Sequence, residues 1–449
     1  MKRQRFTIFG AGLSGALLAV YLSRRGHAVD LYERRPDPRL KGAERGRSIN
    51  LALSTRGIEA LRAVGLAEEV LATAIPMKGR MIHARSGEIS FQPYSSGAEL
   101  AINSISRSGL NAVLLTAAER EAGVRIHFDQ RCVNADVDSG RVEVLDGASG
   151  QARWIDTQTM IGADGAFSAI RGAMQRRDRF EYEQSYLEHG YKELTIPPVD
   201  GGGGFRMEKH ALHIWPRGTF MMIALPNADG SFTCTLFWPY SGPNSFQSMR
   251  SGAEAAEFFR REFADAVPLI PDLAADWEHN PVASLVTVRC WPWHVGSRAA
   301  LLGDAAHAVV PFYGQGMNAS FEDVRVLAEC IDDSPNDLAA AYSEYAQRRK
   351  PHTDALSRLA VENFYEMRDK VSSPAFRRKK TIEHVLEKLF PAWYVSLYHM
   401  VTFTTIPYGE AVARARTQQR TVRHAAIAGL LLLVVVLAVA AWLLLRPAG

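Results

Sequence analysis

Phe6-Thr7-Ile8-Phe9-Gly10-Ala11-Gly12-Leu13-Ser14-Gly15-Ala16-Leu17-Leu18-Ala19-Val20-Tyr21-Leu22 opens the chain, and Ala28-Val29-Asp30-Leu31-Tyr32-Glu33 follows shortly after. The first four residues form an apolar run too short for a helix and suited to a buried parallel strand. Ala16 to Leu22 continues as a helix, and Ala28 to Tyr32 is a second short strand. This is a βαβ unit with Gly-x-Gly-x-x-Gly at its strand-to-helix turn. Gly10 permits the tight turn, Gly12 lets a pyrophosphate approach the backbone, and Gly15 lets the helix sit close on the sheet. The helix N-terminus offers unpaired N–H groups and a positive dipole to the phosphates. Glu33 stands where an acid accepts ribose hydroxyls, which favours FAD or NAD over a 2′-phosphate. Three glycines alone are an ordinary turn; with strand, helix and acid around them they predict dinucleotide binding.

Composition limits what else the chain can be. Its 449 residues allow one large or two ordinary domains with a sizeable core. A formal charge of +4 is small for that length and makes no case for nucleic acid. Cys132, Cys234, Cys290 and Cys330 are far apart and form no metal-like pair, so they read as buried side chains in a reducing compartment, with no metal expected. No signal peptide is expected, because the first apolar segment belongs to the nucleotide fold.

Beyond Glu33, the pattern predicts a helix at about 55–64 and a strand pair over 79–94 that turns at Ser86-Gly87. Arg80, on the first of these strands, reads from pattern alone as a solvated charge. Arg107 precedes a helix carrying Leu110, Leu114 and Leu115, and strands are expected at 124–128 and 142–144. Two further motifs return to the first. Met160-Ile161-Gly162-Ala163-Asp164-Gly165 is a strand running into an acidic turn. Ala299-Ala300-Leu301-Leu302-Gly303-Asp304 is another, followed by Gly314-Gln315-Gly316-Met317-Asn318 at the start of a helix. Between them, apolar runs at 212–215, 220–225 and 232–238 separated by turn residues describe an antiparallel meander, long enough to floor a substrate chamber. From 319 to 390 the chain reads as helices broken at Pro335, Pro351 and Pro374.

The tail differs in kind. Residues 425–445 are 21 positions without a charge, dense in Leu, Val and Ala, which is long enough to cross a hydrocarbon core as one helix. Arg414, Arg416, Arg420 and Arg423 precede this run and only Arg446 follows it. The positive flank, with the whole catalytic body, is therefore expected on the cytoplasmic side.

The three motifs, in this order, resemble the single-component flavin-dependent aromatic hydroxylases. Arg45-Gly46-Arg47-Ser48-Ile49-Asn50-Leu51-Ala52-Leu53-Ser54, His189-Gly190-Tyr191-Lys192-Glu193-Leu194 and Leu212-His213-Ile214-Trp215-Pro216 narrow the resemblance to the kynurenine-hydroxylating branch, over residues 5–424. The resemblance implies an α/β fold with a discontinuous Rossmann-like FAD-binding domain (1–75, 101–180 and 281–330). It also implies an inserted antiparallel-sheet substrate domain (76–100 and 181–280), a C-terminal helical region (331–424) and, from the tail, a C-terminal transmembrane helix (425–445). Non-covalent FAD is the expected cofactor and NADPH the transient reductant, with O2 and L-kynurenine as substrates. Ser14, Tyr32, Glu33, Arg34, Arg35, Ala52 and Arg107 fall on flavin-contacting positions, as do Asp164, Asp304, Gly316, Met317 and Asn318. Arg80, Tyr94, Asn363 and Tyr398 match positions that hold the substrate's amino-acid end. A guanidinium can pair a carboxylate with two parallel hydrogen bonds, and the tyrosines add hydroxyl donors. No catalytic base is evident, and none is required when the flavin supplies the activated oxygen. Gln315 is the candidate polar contact to that oxygen, with His307 as a possible acid or simply a structural histidine. Two other readings stay open: a hydroxylase acting on a phenol, and a membrane-anchored flavoprotein with a binding role.

Overall fold

The computed structural model describes residues 3–40, 50–94, 100–199, 202–370 and 374–444; Arg45 to Ile49, Leu445 and Arg446, all used in reading the sequence, lie outside them. A six-stranded sheet holds the dinucleotide motif. Its strands run His294–Val295, Ala299–Leu301, Thr159–Gly162, Arg5–Phe9, Ala28–Tyr32 and Val124–His127, parallel except for the first. The three glycine-bearing motifs thus end side by side, because Phe9 is in register with both Tyr32 and Gly162, and Gly162 with Leu301. Helix Leu13–Arg24 starts earlier than its apolar run and is buried along most of its length, as a helix between two layers must be.

A seven-stranded sheet forms the second layer, in the order Ala283–Trp291, Glu181–Ile196, Phe232–Pro239, Met221–Pro226, Ala211–Pro216, Gly79–His83 and Ile89–Pro93. The meander expected from sequence is its centre. The long strands Glu181–Ile196 and Ala283–Trp291 were not expected, and Gly79–His83 joins the meander in parallel at Ala211–Pro216. Alternation gives this sheet two buried faces. Trp215, Leu236 and Trp238 point to an outer core beneath helices Gly252–Glu262 and Leu273–His279, whereas Ile214, Met221 and Phe237 point to an inner core with Phe312 and Phe364.

The helical region corrects two expectations. Pro351 does not break a helix: Leu338–Tyr365 runs through it. A proline costs a helix one backbone bond and a local clash, but here the residues on either side are anchored, Arg349 to Glu322 and Asp323, and Leu356 and Leu359 in an apolar cluster with Met400, Tyr408 and Ala411. The tail helix begins well before the charge-free run, as one element Tyr408–Leu444. Tyr408, Ala411, Ala415 and Gln418 are buried against the body, and the helix then leaves it.

Behind helix Gly316–Asp333 lies a buried ionic cluster. Arg56 pairs with Glu322 at 2.9 Å, Arg349 pairs with Glu322 at 2.5 Å and with Asp323 at 2.6 Å, and Asp323 also contacts His307. Burial raises both carboxyl pKa values, but their partners outweigh it: contacts with His307 and Arg349 hold Asp323 below the ordinary range, and Arg349 and Arg56 do the same for Glu322. A carboxyl whose folded pKa lies below its unfolded value, about 4, contributes stability that is full above that value and is lost as pH falls through the folded one. Arg349→Ala leaves two buried carboxylates short of a partner and is expected to cost about 3–5 kcal/mol. It should also shrink the acid-side loss of stability below about pH 4. Urea denaturation of both proteins across pH measures both effects; a loss under about 1 kcal/mol, the size of an exposed pair, would rule out a structural role.

Candidate active site

One cavity of about 790 Å³ runs from the glycine turns of the parallel sheet to the inner face of the seven-stranded sheet. At its dinucleotide end stand Gly10, Gly12, Ser14, the run Tyr32 to Arg35, Arg107, Asp164 and Asp304. Gly10 has φ +101°, and a Cβ there would meet the Ala163 carbonyl oxygen at 2.3 Å. Gly15 is pressed so close that a Cβ would sit 1.9 Å from the Gly10 carbonyl oxygen, whereas a Cβ on Gly12 would meet nothing within 4 Å. Gly15 therefore packs helix on strand and Gly12 leaves room in the cavity.

The polar groups here fit a dinucleotide. Asp164 accepts the Ala169 N–H through Oδ2 at 2.7 Å, while its Oδ1 is buried without a partner and burial raises its pKa. An orphaned carboxylate oxygen in a cavity wall calls for a donor from a ligand. Glu33 accepts the Ala11 N–H at 2.9 Å and the Arg35 N–H at 3.1 Å, so the acid also braces the first glycine turn. Arg107 is exposed and has no anionic partner among the described residues.

Leu51, Ala52, Gly314, Gly316 and Met317 line the middle of the cavity. Asn318 is fully buried beside them and clamps this loop: its Nδ2 donates to the Ala52 and Gly314 carbonyls at 2.8 and 2.9 Å, and its Oδ1 accepts the Ser54 N–H at 2.9 Å.

The far end is aromatic around one cation. The Arg80 guanidinium carbon lies 4.8 Å from the Tyr398 ring centroid and 5.7 Å from that of Tyr94, and those rings stack at 5.6 Å. Arg80 Nε and the Tyr94 hydroxyl are buried without hydrogen-bond partners. Burial raises the Tyr94 and Tyr313 phenol pKa values, keeping both hydroxyls protonated. Among the described residues, the acids that line the cavity, Glu33, Asp164 and Asp304, all belong to its dinucleotide end. Leu212, Met221, Ile223, Phe237 and Phe312 supply the apolar walls, with Tyr191 and Tyr313 beside them.

The chain matches the FAD binding domain family over residues 4–360. It is 51% identical over 407 residues to the kynurenine 3-monooxygenase of Myxococcus xanthus, covering 91% of this chain and 87% of that one. With the kynurenine 3-monooxygenase of Salinispora tropica it shares 48% identity over 441 residues, 98% of this chain and 97% of the relative. The chain belongs to the kynurenine 3-monooxygenase family. Its fold is also that of more distant solved structures. A 2-methyl-3-hydroxypyridine-5-carboxylic acid oxygenase matches with a TM-score of 0.67 at 22% identity, over 84% of this chain and 95% of that one. P. aeruginosa PqsL in complex with 2-aminobenzoylacetate matches with a TM-score of 0.65 at 21% identity, over 82% and 99%.

One end of the cavity suits a dinucleotide, and the other gathers one arginine with tyrosines and apolar side chains. Two residues expected at the site stand elsewhere. Gln315 does not line the cavity: its Nε2 donates to Ser54 Oγ at 3.1 Å and its Oε1 accepts from the Tyr408 hydroxyl at 3.0 Å. At the entry of its helix it points toward the tail, so its role is to tie the flavin loop to the C-terminal helix. Asn363 stands behind the wall, donating to the Phe312 carbonyl at 2.7 Å. His307 is buried between Asp323 and Trp293 as a structural group. Sequence reading missed the apolar wall residues and, near the mouth, Arg131, Cys132, Val133 and Phe167. Alternation along the meander was the available signal for the walls; the mouth carried none.

Gly12→Ala is expected to fold normally yet copurify with less FAD, because its methyl meets no protein atom but intrudes where the pyrophosphate approaches. Gly15→Ala is expected to lower the melting temperature itself. Flavin absorbance per protein, read beside thermal unfolding, separates the two; equal flavin content in Gly12→Ala would refute the assignment of that face.

Proposed function

We propose that this chain hydroxylates L-kynurenine to 3-hydroxy-L-kynurenine with NADPH and O2, in tryptophan catabolism, and that Arg80, Tyr94 and Tyr398 hold the substrate's amino-acid end. The observation that carries the residue assignment is Arg80 itself: it stands between two tyrosines with its Nε buried and unpartnered, and among the described residues that line this end of the cavity none is an acid. A buried guanidinium of this kind requires an anion, and a carboxylate matches its two-pronged geometry. With the carboxylate there, the aminophenyl ring extends between Phe237, Leu212 and Ile223 toward the Gly314–Met317 loop. FAD, when bound and reduced by NADPH, supplies the activated oxygen.

The protein's own part is positioning and exclusion. The apolar walls keep water from the reacting ring. Phe312 is fixed by Asn363 from behind, and Asn318 fixes the loop at the ring's other edge. Among the described residues no histidine lines the cavity, and kynurenine's own amino group activates its ring without a phenol proton being drawn off. Arg80→Ala is expected to raise KM for L-kynurenine by about ten- to a thousandfold, the equivalent of roughly 2–5 kcal/mol. Arg80→Lys should recover only part of this, since an ammonium lacks the planar fork. An unchanged KM in Arg80→Ala would remove Arg80 from the site.

The tail is read as a single membrane span that leaves the catalytic body on the cytoplasmic side. Its supports are a mean hydropathy of 2.8 with none of the apolar window buried, and the arginines at 414, 416, 420 and 423 that precede it. A chain ended after Arg423 is expected to leave the membrane pellet while keeping its FAD. Fractionation together with flavin content decides this, and a folded, flavin-loaded shortened protein that still pellets would place the anchor elsewhere.

A further inference from the structure

Helix Pro374–Leu389 turns its side chains the opposite way to a helix made for water. Its acids face the body: Glu383 and Glu387, one turn apart, are half-buried, and Glu387 accepts the Ser396 N–H at 2.8 Å. Burial and then these two carboxylates push the Tyr394 phenol up to about 12, which sets both acids on the inner side. Ile382, Val385 and Leu389 face outward, and Phe390 and Trp393 continue the row beyond the helix. All five are between 43% and 64% exposed. A surface helix ordinarily buries its apolar stripe and solvates its acids, and a contiguous exposed apolar row marks an interaction surface.

Charge and position say what covers it. Arg377-Arg378-Lys379-Lys380 precede the row and Lys388 falls within it. The end of the row is pinned to the tail helix, where Gln418 Nε2 donates to the Trp393 carbonyl at 2.7 Å. Residue 418 lies seven positions before the charge-free run, about 10 Å of helical rise, and Arg420 and Arg423 fill that interval. The exposed row therefore sits where the tail meets the headgroups.

We propose that this face is a second membrane contact, lying on the anionic leaflet that the tail enters. Its apolar row reaches into the headgroup boundary, and the positive charge of 377–380 and 388 in the sequence favours lipid phosphates there. The inference rests on reading 425–445 as a span and extends it from one anchoring element to two. It also places the bilayer beside the substrate end, because Tyr398, which faces Arg80, follows Trp393 by five residues on helix Leu397–Phe403, whose cap Ser396 is held by Glu387.

The test uses the full chain reconstituted into phosphatidylcholine vesicles containing phosphatidylglycerol, with lipids brominated at either shallow or deep acyl positions. Comparing Trp442→Phe with the Trp393→Phe/Trp442→Phe pair isolates the emission of Trp393. Comparing Trp393→Phe with the same pair isolates that of Trp442. The expected result is loss of Trp393 emission with shallow bromines, reduced when phosphatidylglycerol is omitted, beside loss of Trp442 emission that does not depend on the anionic lipid. Trp442 quenched and Trp393 unquenched would overturn this inference alone, including the case in which a second copy of the chain covers the row. Neither quenched would overturn the membrane span as well. Phenylalanine keeps the row apolar, so the variants preserve the surface being probed.

Discussion

The buried ionic cluster of Arg56, Glu322, Asp323 and Arg349 is the constraint from which the active-site geometry follows. Two cations and two carboxylates balance in a space that excludes water, and each carboxylate is matched to a guanidinium. Removing charges from water is costly, and only close geometry offsets it. Those contacts fix helix Gly316–Asp333 against helices Thr55–Arg62 and Leu338–Tyr365, so the helix cannot slide without stranding a charge. Its first turn is the loop that faces the middle of the cavity. The same cluster reaches the tail, because the Arg56 guanidinium carbon lies 4.1 Å from the Tyr408 ring centroid and Arg56 also donates to the Ile406 carbonyl. Tyr408 in turn donates to Gln315 at the entry of that loop. The glycine loop and the long C-terminal helix therefore share a foundation.

The two ends of the cavity follow opposite electrostatic logic. The dinucleotide end combines the glycine-turn backbone with acids, Glu33 buried and Asp164 holding an unpartnered oxygen, suited to phosphates and ribose hydroxyls. At the substrate end one guanidinium is held among rings whose hydroxyls stay protonated because burial disfavours phenolate. Cation–π contact holds the guanidinium without neutralising it, leaving its charge for an anion from outside. The double-faced sheet makes that possible: its inner residues build the apolar walls while its outer tryptophans pack under helices and keep the strands rigid.

The C-terminal elements belong to the same picture. Tyr398 and Tyr94 close the substrate end, and Tyr398 sits on a short helix between the exposed row at 382–393 and the start of the tail helix. Residues that shape the pocket are thus joined on one side to the exposed apolar row and on the other to the long apolar helix.

The dinucleotide motif was legible because a short strand, a glycine turn and a helix are local: spacing along the chain fixes spacing in space, and the first two strands were found within one residue of where the pattern put them. The charge-free tail was equally plain, since composition over 21 positions needs no partner to interpret. The resemblance placed Arg80, Tyr94 and Tyr398 together, and the structure brings them into contact across more than 300 positions of chain. Pattern alone read Arg80 as a solvated charge, for a strand residue's burial depends on what covers its face. Tertiary structure alone decided where Gln315 and Asn363 point: each lies at a helix end or in a helix where a rotation of one residue moves a side chain by about 100°. It decided as well that Pro351 is spanned and that the tail helix starts at Tyr408. In both cases packing against helices distant in sequence outweighs the local preference that sequence can report.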